Sequence, residues 1–267
     1  MTNQIYYRLA DLKDPEERLE DAAMWKALHD YYGQQIKAVS HNDIIPENSH
    51  VFGRGKLAQS YGTYCDYWND LAFLFDCNRE FGVYDFKGAI EAVNRLHKRQ
   101  KGAFVKSTKP KQFAKAIPAG TTFHDQVGEM AYSFMDNGKC LMVQELCRIE
   151  FEQRFLFIEN EFVTSSPVAW HLTPLDTGIL PAGAQYYTPS SIEYTIDQSL
   201  DLTSFAKSVQ HQCNFKTVGI DCAWINGKPG VIEFNDFYIG GMGLYACDVH
   251  KIAAATKLLL NSNGPRK

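Results

Sequence analysis

Gly219-Ile220-Asp221-Cys222-Ala223-Trp224-Ile225-Asn226-Gly227-Lys228-Pro229-Gly230-Val231-Ile232-Glu233-Phe234-Asn235 carries the most structural information in this sequence. Asn-Gly between two apolar runs is a strong hairpin signal, because both residues tolerate positive φ. Side chains alternate along a strand, so Val231, Glu233 and Asn235 share one face while Ile232 and Phe234 share the other. Asp221 likewise points away from its neighbours Ile220 and Cys222. Two closures compete. A two-residue turn at Asn226 and Gly227 pairs Asp221 with Ile232 and puts it on the face away from Glu233. A three-residue loop of Ile225, Asn226 and Gly227, with Gly227 left-handed in a bulge, pairs Trp224 with Lys228 and sets Asp221 diagonal to Glu233. In that second closure Asp221, Glu233 and Asn235 form a set of hard oxygen donors that suits Mg²⁺, an ion that keeps waters and phosphates in its shell. The plainer alternative is a solvent-facing polar row on an amphipathic hairpin.

Outward from the hairpin, the texture after Gly102 is that of short strands: Ala103 to Lys106, Cys140 to Cys147, Phe151 to Ile158, Glu161 to Ser165, and the two arms of the hairpin. Two helical patterns interrupt them, one over Leu202 to Cys213 with Asp201 as its cap, the other over Val249 to Leu260. The first third alternates apolar runs (Ile5 to Leu9, Gln35 to Val39, Val51 to Leu57) with a helical pattern over Leu19 to Tyr32, as a small α/β unit does. Asp85 caps a further helix whose apolar positions are Phe86, Ile90, Val93 and Leu96, and the basic cluster His97, Lys98, Arg99, Lys101 suits its C-terminal end. The expected organisation is α+β: residues 1–98 as a small α/β domain and 99–267 as a larger one.

The chain has 267 residues, a formal net charge of -4 and a pI near 6.1. That balance gives no footprint of the kind that drives non-specific nucleic-acid binding, although a basic groove is compatible with it. Seven cysteines, an odd number without metal-ligand spacing, read as reduced thiols in the core. No run approaches the ~18 apolar residues of a membrane span and the N-terminus lacks a secretory pattern, so a cytoplasmic location is expected.

The hairpin resembles the metal-binding end of the ATP-grasp superfamily, where an Asp on one strand and a Glu-x-Asn on the next hold magnesium. Asp221, Glu233 and Asn235 match that pattern, and Ile239-Gly240-Gly241-Met242-Gly243 is similar to the family's acceptor-side loop. The resemblance favours the three-residue closure. It extends over roughly Gly102 to Tyr245. Phe104-Val105-Lys106 looks like the strand whose lysine contacts nucleotide phosphates. Leu141 to Cys147 resembles the linker strand whose backbone reads adenine, with Gln144, Glu145 and Leu146 in the nucleotide-contacting segment. Glu152-Gln153-Arg154-Phe155 is similar to the strand in which an arginine faces the transferred phosphoryl group, a task that suits a guanidinium fork. The family's glycine-rich phosphate loop is not evident: Ser107 to Gly120 carries Lys109, Lys111 and Lys115, of which Lys111 either replaces the missing backbone donors or solvates a loop.

The resemblance implies two α+β lobes gripping ATP and Mg²⁺, preceded by the small α/β domain. It also implies a ligase that activates a carboxylate as an acyl-phosphate for attack by an amine or other nucleophile. Expected partners are small-molecule or peptide carboxylates and amines, with no membrane. The rival functions are a phosphotransferase, a nucleic-acid-modifying ligase and a noncatalytic nucleotide-binding protein. On this view Lys106→Ala and Arg154→Ala leave the fold intact, and Glu233→Gln costs little stability because it relieves repulsion. His171 reads as structural before catalytic, Tyr186 and Tyr187 as packing residues, and Arg54, between Gly53 and Gly55, as a turn residue or a carboxylate binder.

Overall fold

The computed structural model describes residues 4–11, 15–40, 42–47, 49–54, 66–109, 113–127, 130, 133, 138–167, 196–235, 238–239, 244 and 247–261. The first layer is a parallel sheet in the order β2-β1-β3, made of β1 (Ile5–Arg8), β2 (Ile36–Val39) and β3 (His50–Gly53). Parallel strands need a crossover, and α1 (Pro15–Tyr32) supplies it between β1 and β2. Tyr7 and Asp21 tie strand to helix with a buried hydrogen bond of 2.6 Å. The C-terminal helix α6 (Val249–Asn261) returns to this layer: Ile252, Ala253 and Leu259 share a core with Tyr7, Met24, Leu28, and Leu156 and Ile158 of a later strand. Gly53 needs to be glycine, since its φ is 130° and a Cβ there would lie 2.5 Å from the Arg8 carbonyl oxygen. Its amide donates to Ile239 O at 2.7 Å, which ties the end of β3 to the start of the glycine-rich segment. Residues 240–243 of that segment lie outside the described residues.

The second sheet is antiparallel, in the order β4-β7-β5-β6, from β4 (Phe81–Tyr84), β5 (Ala103–Ser107), β6 (Ala114–Ile117) and β7 (Leu141–Glu145). Helix α3 (Phe86–Lys98) packs on it through Phe86, Ala89, Val93 and Leu96. Asp85 caps the helix as expected, accepting from Gly88 N at 2.7 Å. β4 pairs with β7, and α3 lies on the same sheet. Between Ser107 and Gly120, Ala114–Ile117 form β6, with Lys115 opposite Val105.

The third sheet is antiparallel, in the order β11-β10-β8-β9, from β8 (Ile149–Ile158), β9 (Glu161–Pro167), β10 (Val218–Ile225) and β11 (Lys228–Asn235). Its apolar face carries Phe155, Phe157, Ile220, Cys222, Val231 and Phe234 against Leu202, Ala206 and Val209 of α5 (Ile196–Gln212). The helix starts at Ile196, so Asp201 lies inside it and is not the cap read from the sequence. The short helix α2 (Leu71–Asp76) is capped by Asp70, which accepts from Ala72 N and from both nitrogens of Asn214 at 2.9 Å. Among the described residues no helix is long and apolar enough to cross a membrane.

Candidate active site

The β10–β11 hairpin closes differently from the expected three-residue loop. Ile225 pairs with Lys228, so the turn is the two residues Asn226 (φ 52°) and Gly227 (φ 76°). Positive φ at both central positions defines the hairpin turn that matches strand twist. By parity alone this turn would put Asp221 on the wrong face. The register shifts, however, between Asp221 and Cys222: Cys222 pairs with Val231, and Asp221 pairs with Glu233. Ile232 is therefore an extra residue in β11, and that bulge returns Glu233 and Asn235 to the face of Asp221. The same shift moves Val231 off that face. It is buried with Cys222 and Phe234 in the core instead.

The polar face that results joins four strands. Asp221 is opposite Arg154 of β8, and the two form a bidentate pair, Nε to Oδ1 and Nη2 to Oδ2, both at 2.7 Å. Asn235 Nδ2 donates to Asp221 Oδ2 at 3.0 Å. Lys106 reaches over from the second sheet and donates to Glu233 Oε2 at 2.7 Å. Its ammonium also lies 5.6 Å from the ring centroid of Tyr67. Lys106, Arg154, Asp221, Glu233 and Asn235, read as a set from the sequence, are thus brought together as two bonded groups, Lys106–Glu233 and Arg154–Asp221–Asn235, set side by side by the pairing of Asp221 with Glu233. Burial alone would raise the Glu233 carboxyl, but Lys106 and then Arg154 hold it below the usual carboxylate range.

Glu152, two residues from Arg154 on the same face of β8, is a further acid here. Burial, reinforced by the Asp221 and Glu233 carboxylates, pushes it up to about 8. In the sequence it appeared only within the quoted arginine segment. Arg79, outside every motif, was missed altogether. Its Nε donates to Gln144 Oε1 at 2.7 Å, its Nη1 to Cys77 O and Val231 O, and its Nη2 to Ile232 O.

The other expected site residues fall as follows. Gln144 is buried on β7 and turned toward Arg79. Glu145 pairs with Lys101 at 2.8 Å and its amide donates to Glu80 O. The Leu146 amide donates to Gly102 O at 2.9 Å. Lys111, His171, Tyr186 and Tyr187 lie outside the described residues. Arg54 is held by α1, donating to Glu17 O and Oε1 at 3.1 Å, with Glu20 Oε2 at 3.9 Å.

The donor chemistry fits magnesium. Among the described residues no three His, Cys, Asp or Glu side chains form a ready metal cage. The set is two carboxylates and an amide, hard oxygens that leave the rest of the shell to phosphates and water. Asp221 retains one lone pair, on Oδ1, since each carboxylate oxygen offers two and Oδ2 accepts from both Arg154 and Asn235.

No family model and no curated protein matches this sequence. Solved structures do. A D-cycloserine synthetase, DcsG, superposes with a TM-score of 0.60 at 13% identity, covering 96% of this chain and 100% of that one. The ATP-grasp ligase PsnB, bound to a precursor variant, Mg and ADP, gives 0.57 at 10% identity over 97% and 98%. A D-alanine–D-alanine ligase from Bacillus anthracis complexed with ATP gives 0.54 at 10% identity over 87% and 85%. The chain has the ATP-grasp fold, an α+β architecture of two sheets preceded by a small parallel layer. At 10–13% identity these likenesses establish the fold alone.

Proposed function

We propose that this protein is an ATP-dependent ligase that activates a carboxylate as an acyl-phosphate and joins it to an amine or similar nucleophile. The observation that carries this reading is the network Lys106–Glu233, Asp221–Arg154 and Asn235–Asp221, in which cations from β5 and β8 meet the oxygen donors of the hairpin. Phosphoryl transfer asks little covalent chemistry of a protein and much positioning of charge. The structural neighbours include a D-cycloserine synthetase, a D-alanine–D-alanine ligase and a ligase complexed with a precursor peptide, which supports small-molecule or peptide substrates.

In the first step a substrate carboxylate oxygen attacks the γ-phosphorus of ATP, the bond to the β-bridging oxygen breaks, and ADP leaves. In the second an amine attacks the acyl carbon, the bond to the phosphate oxygen breaks, phosphate leaves, and the amine gives up its proton. Lys106 would exchange Glu233 for a phosphate oxygen. Arg154, fixed by Asp221, would bring its guanidinium charge to bear on the charge that develops on the transferred group. Asp221, Glu233 and Asn235 would hold magnesium, which when bound neutralises phosphate charge and orients the triphosphate. Gln144 and Glu145 at the end of β7, and Leu146 just beyond it, would flank the adenine.

The test is ADP release across panels of carboxylates and amines, with hydroxylamine added to trap an acyl-phosphate as a hydroxamate. ADP and phosphate formed with amide product, and hydroxamate in the absence of amine, are expected. A stable phosphorylated product with no amide would assign the protein as a phosphotransferase instead.

A further inference from the structure

We propose that Arg79 is a positioning residue whose guanidinium clamps the β11 bulge and so keeps Glu233 and Asn235 in register with Asp221. Its consequence rests on the ligase reading above, whereas the clamp itself rests on hydrogen bonds alone. The Asn226-Gly227 turn fixes the inner register, pairing Ile225 with Lys228 and Cys222 with Val231. If that register ran on unbroken, Asp221 would face Ile232, and Glu233 would fall opposite Ile220 on the apolar side. Only the extra residue, Ile232, prevents this.

A bulge is a break in the ladder, and among the described residues β11 is an edge strand, paired with β10. Carbonyls on adjacent residues of a regular strand point opposite ways, yet Val231 O and Ile232 O both face Arg79. Nη1 donates to Val231 O at 2.5 Å and Nη2 to Ile232 O at 2.9 Å. Backbone carbonyls at a partly buried edge need such donors, because leaving them unmade is costly. The guanidinium is itself fixed from behind. Nη1 also donates to Cys77 O at 2.8 Å, Nε donates to Gln144 Oε1 at 2.7 Å, and the group lies 5.9 Å from the Phe73 ring centroid. A planar fork can serve two neighbouring carbonyls and a side-chain amide together, which the point charge of a lysine cannot. Because Gln144 belongs to β7, Arg79 also ties the bulge to the second sheet.

Deleting Ile232 removes the extra residue while leaving Val231 opposite Cys222 and Glu233 opposite Asp221. The metal-binding face should then form without any clamp. The experiment compares wild type, Arg79→Met, and Arg79→Met combined with deletion of Ile232. Two quantities are read: amide hydrogen exchange over residues 231–235 in the ligand-free protein, and AMPPNP affinity by calorimetry in magnesium and in EDTA. Arg79→Met is expected to speed exchange at the bulge and to weaken binding in magnesium by about 10- to 100-fold, the usual cost of losing support for metal ligands. Affinity in EDTA should stay near wild type, and the deletion should restore both readouts. Wild-type exchange in Arg79→Met, or a double variant no better than Arg79→Met, would overturn the clamp. So would circular dichroism showing both variants unfolded, since Arg79 would then serve the fold at large. If wild type binds AMPPNP no better with magnesium than without, the ligase reading fails, and the exchange data still decide the role of Arg79.

Discussion

Lys106 of β5 and Glu233 of β11 belong to different sheets, yet their side chains meet at 2.7 Å and join the two lobes by an ion pair. With Arg154 on Asp221, each of these two carboxylates is already paired with a cation. Magnesium alone must therefore compete with a side-chain cation at each. We predict no saturable heat when MgCl₂ is titrated into the ligand-free protein, and saturable heat once AMPPNP is present to draw Lys106 onto phosphate. Tight magnesium binding without nucleotide would refute this.

Arg154→Ala and Lys106→Ala should both suppress ADP release, by about a hundredfold or more for contacts of this electrostatic type. Their effects on stability should differ, contrary to the sequence-based expectation that both leave the fold untouched. Arg154 and Asp221 are buried to 7% and 2% side-chain exposure, so Arg154→Ala strands a carboxylate. That costs about 3–5 kcal/mol for a buried pair. Adding Asp221→Asn should recover part of the loss in urea melts; no recovery would mean the two side chains act independently.

Glu233→Gln should abolish turnover, but not by relieving repulsion at no cost, because Glu233 is paired with Lys106. The variant should be less stable than wild type at neutral pH by about 1.5–3 kcal/mol, the range for hydrogen bonds to charged groups. The folded state holds the Glu233 pKa below its ordinary 4.5, so this stability is present above that value and lost as pH falls through the folded pKa. The two proteins should converge in acid, as thermal melts across a pH series would register.

The hairpin, its Asn-Gly turn and the convergence of Asp221, Glu233 and Asn235 on one face were legible because alternation and turn chemistry are written in side chains. The bulge was not. A bulge at Ile232 carries no glycine to mark it, and its position depends on which carbonyls find a donor. That donor, Arg79, lies some 150 residues away in sequence and bonds backbone, so no side-chain pattern joins the two. Strands β4 and β6 were likewise hidden, being four residues each and recognisable only through pairing with β7 and β5. Burial on the assembled face, which raises Glu152, exists only once β8, β10 and β11 are side by side.

Glu152 supplies a pH dependence of the opposite sign. Burial and the carboxylates of Asp221 and Glu233 raise it from 4.5 to about 8, so between those values the folded protein retains a proton that the unfolded chain has released. Stability must then fall as pH rises through that window and level off above it. Glu152→Gln keeps the shape of the neutral acid and cannot ionise. It should therefore be close to wild type in stability at pH about 4.5, increasingly more stable than wild type towards pH 8, and parallel to it beyond. Melting temperatures of the two ligand-free proteins across this range test the assignment. A wild type that gains on the variant as pH rises would show that Glu152 is ionised in the folded state and held by Arg154 or Arg79, whose charges oppose the shift.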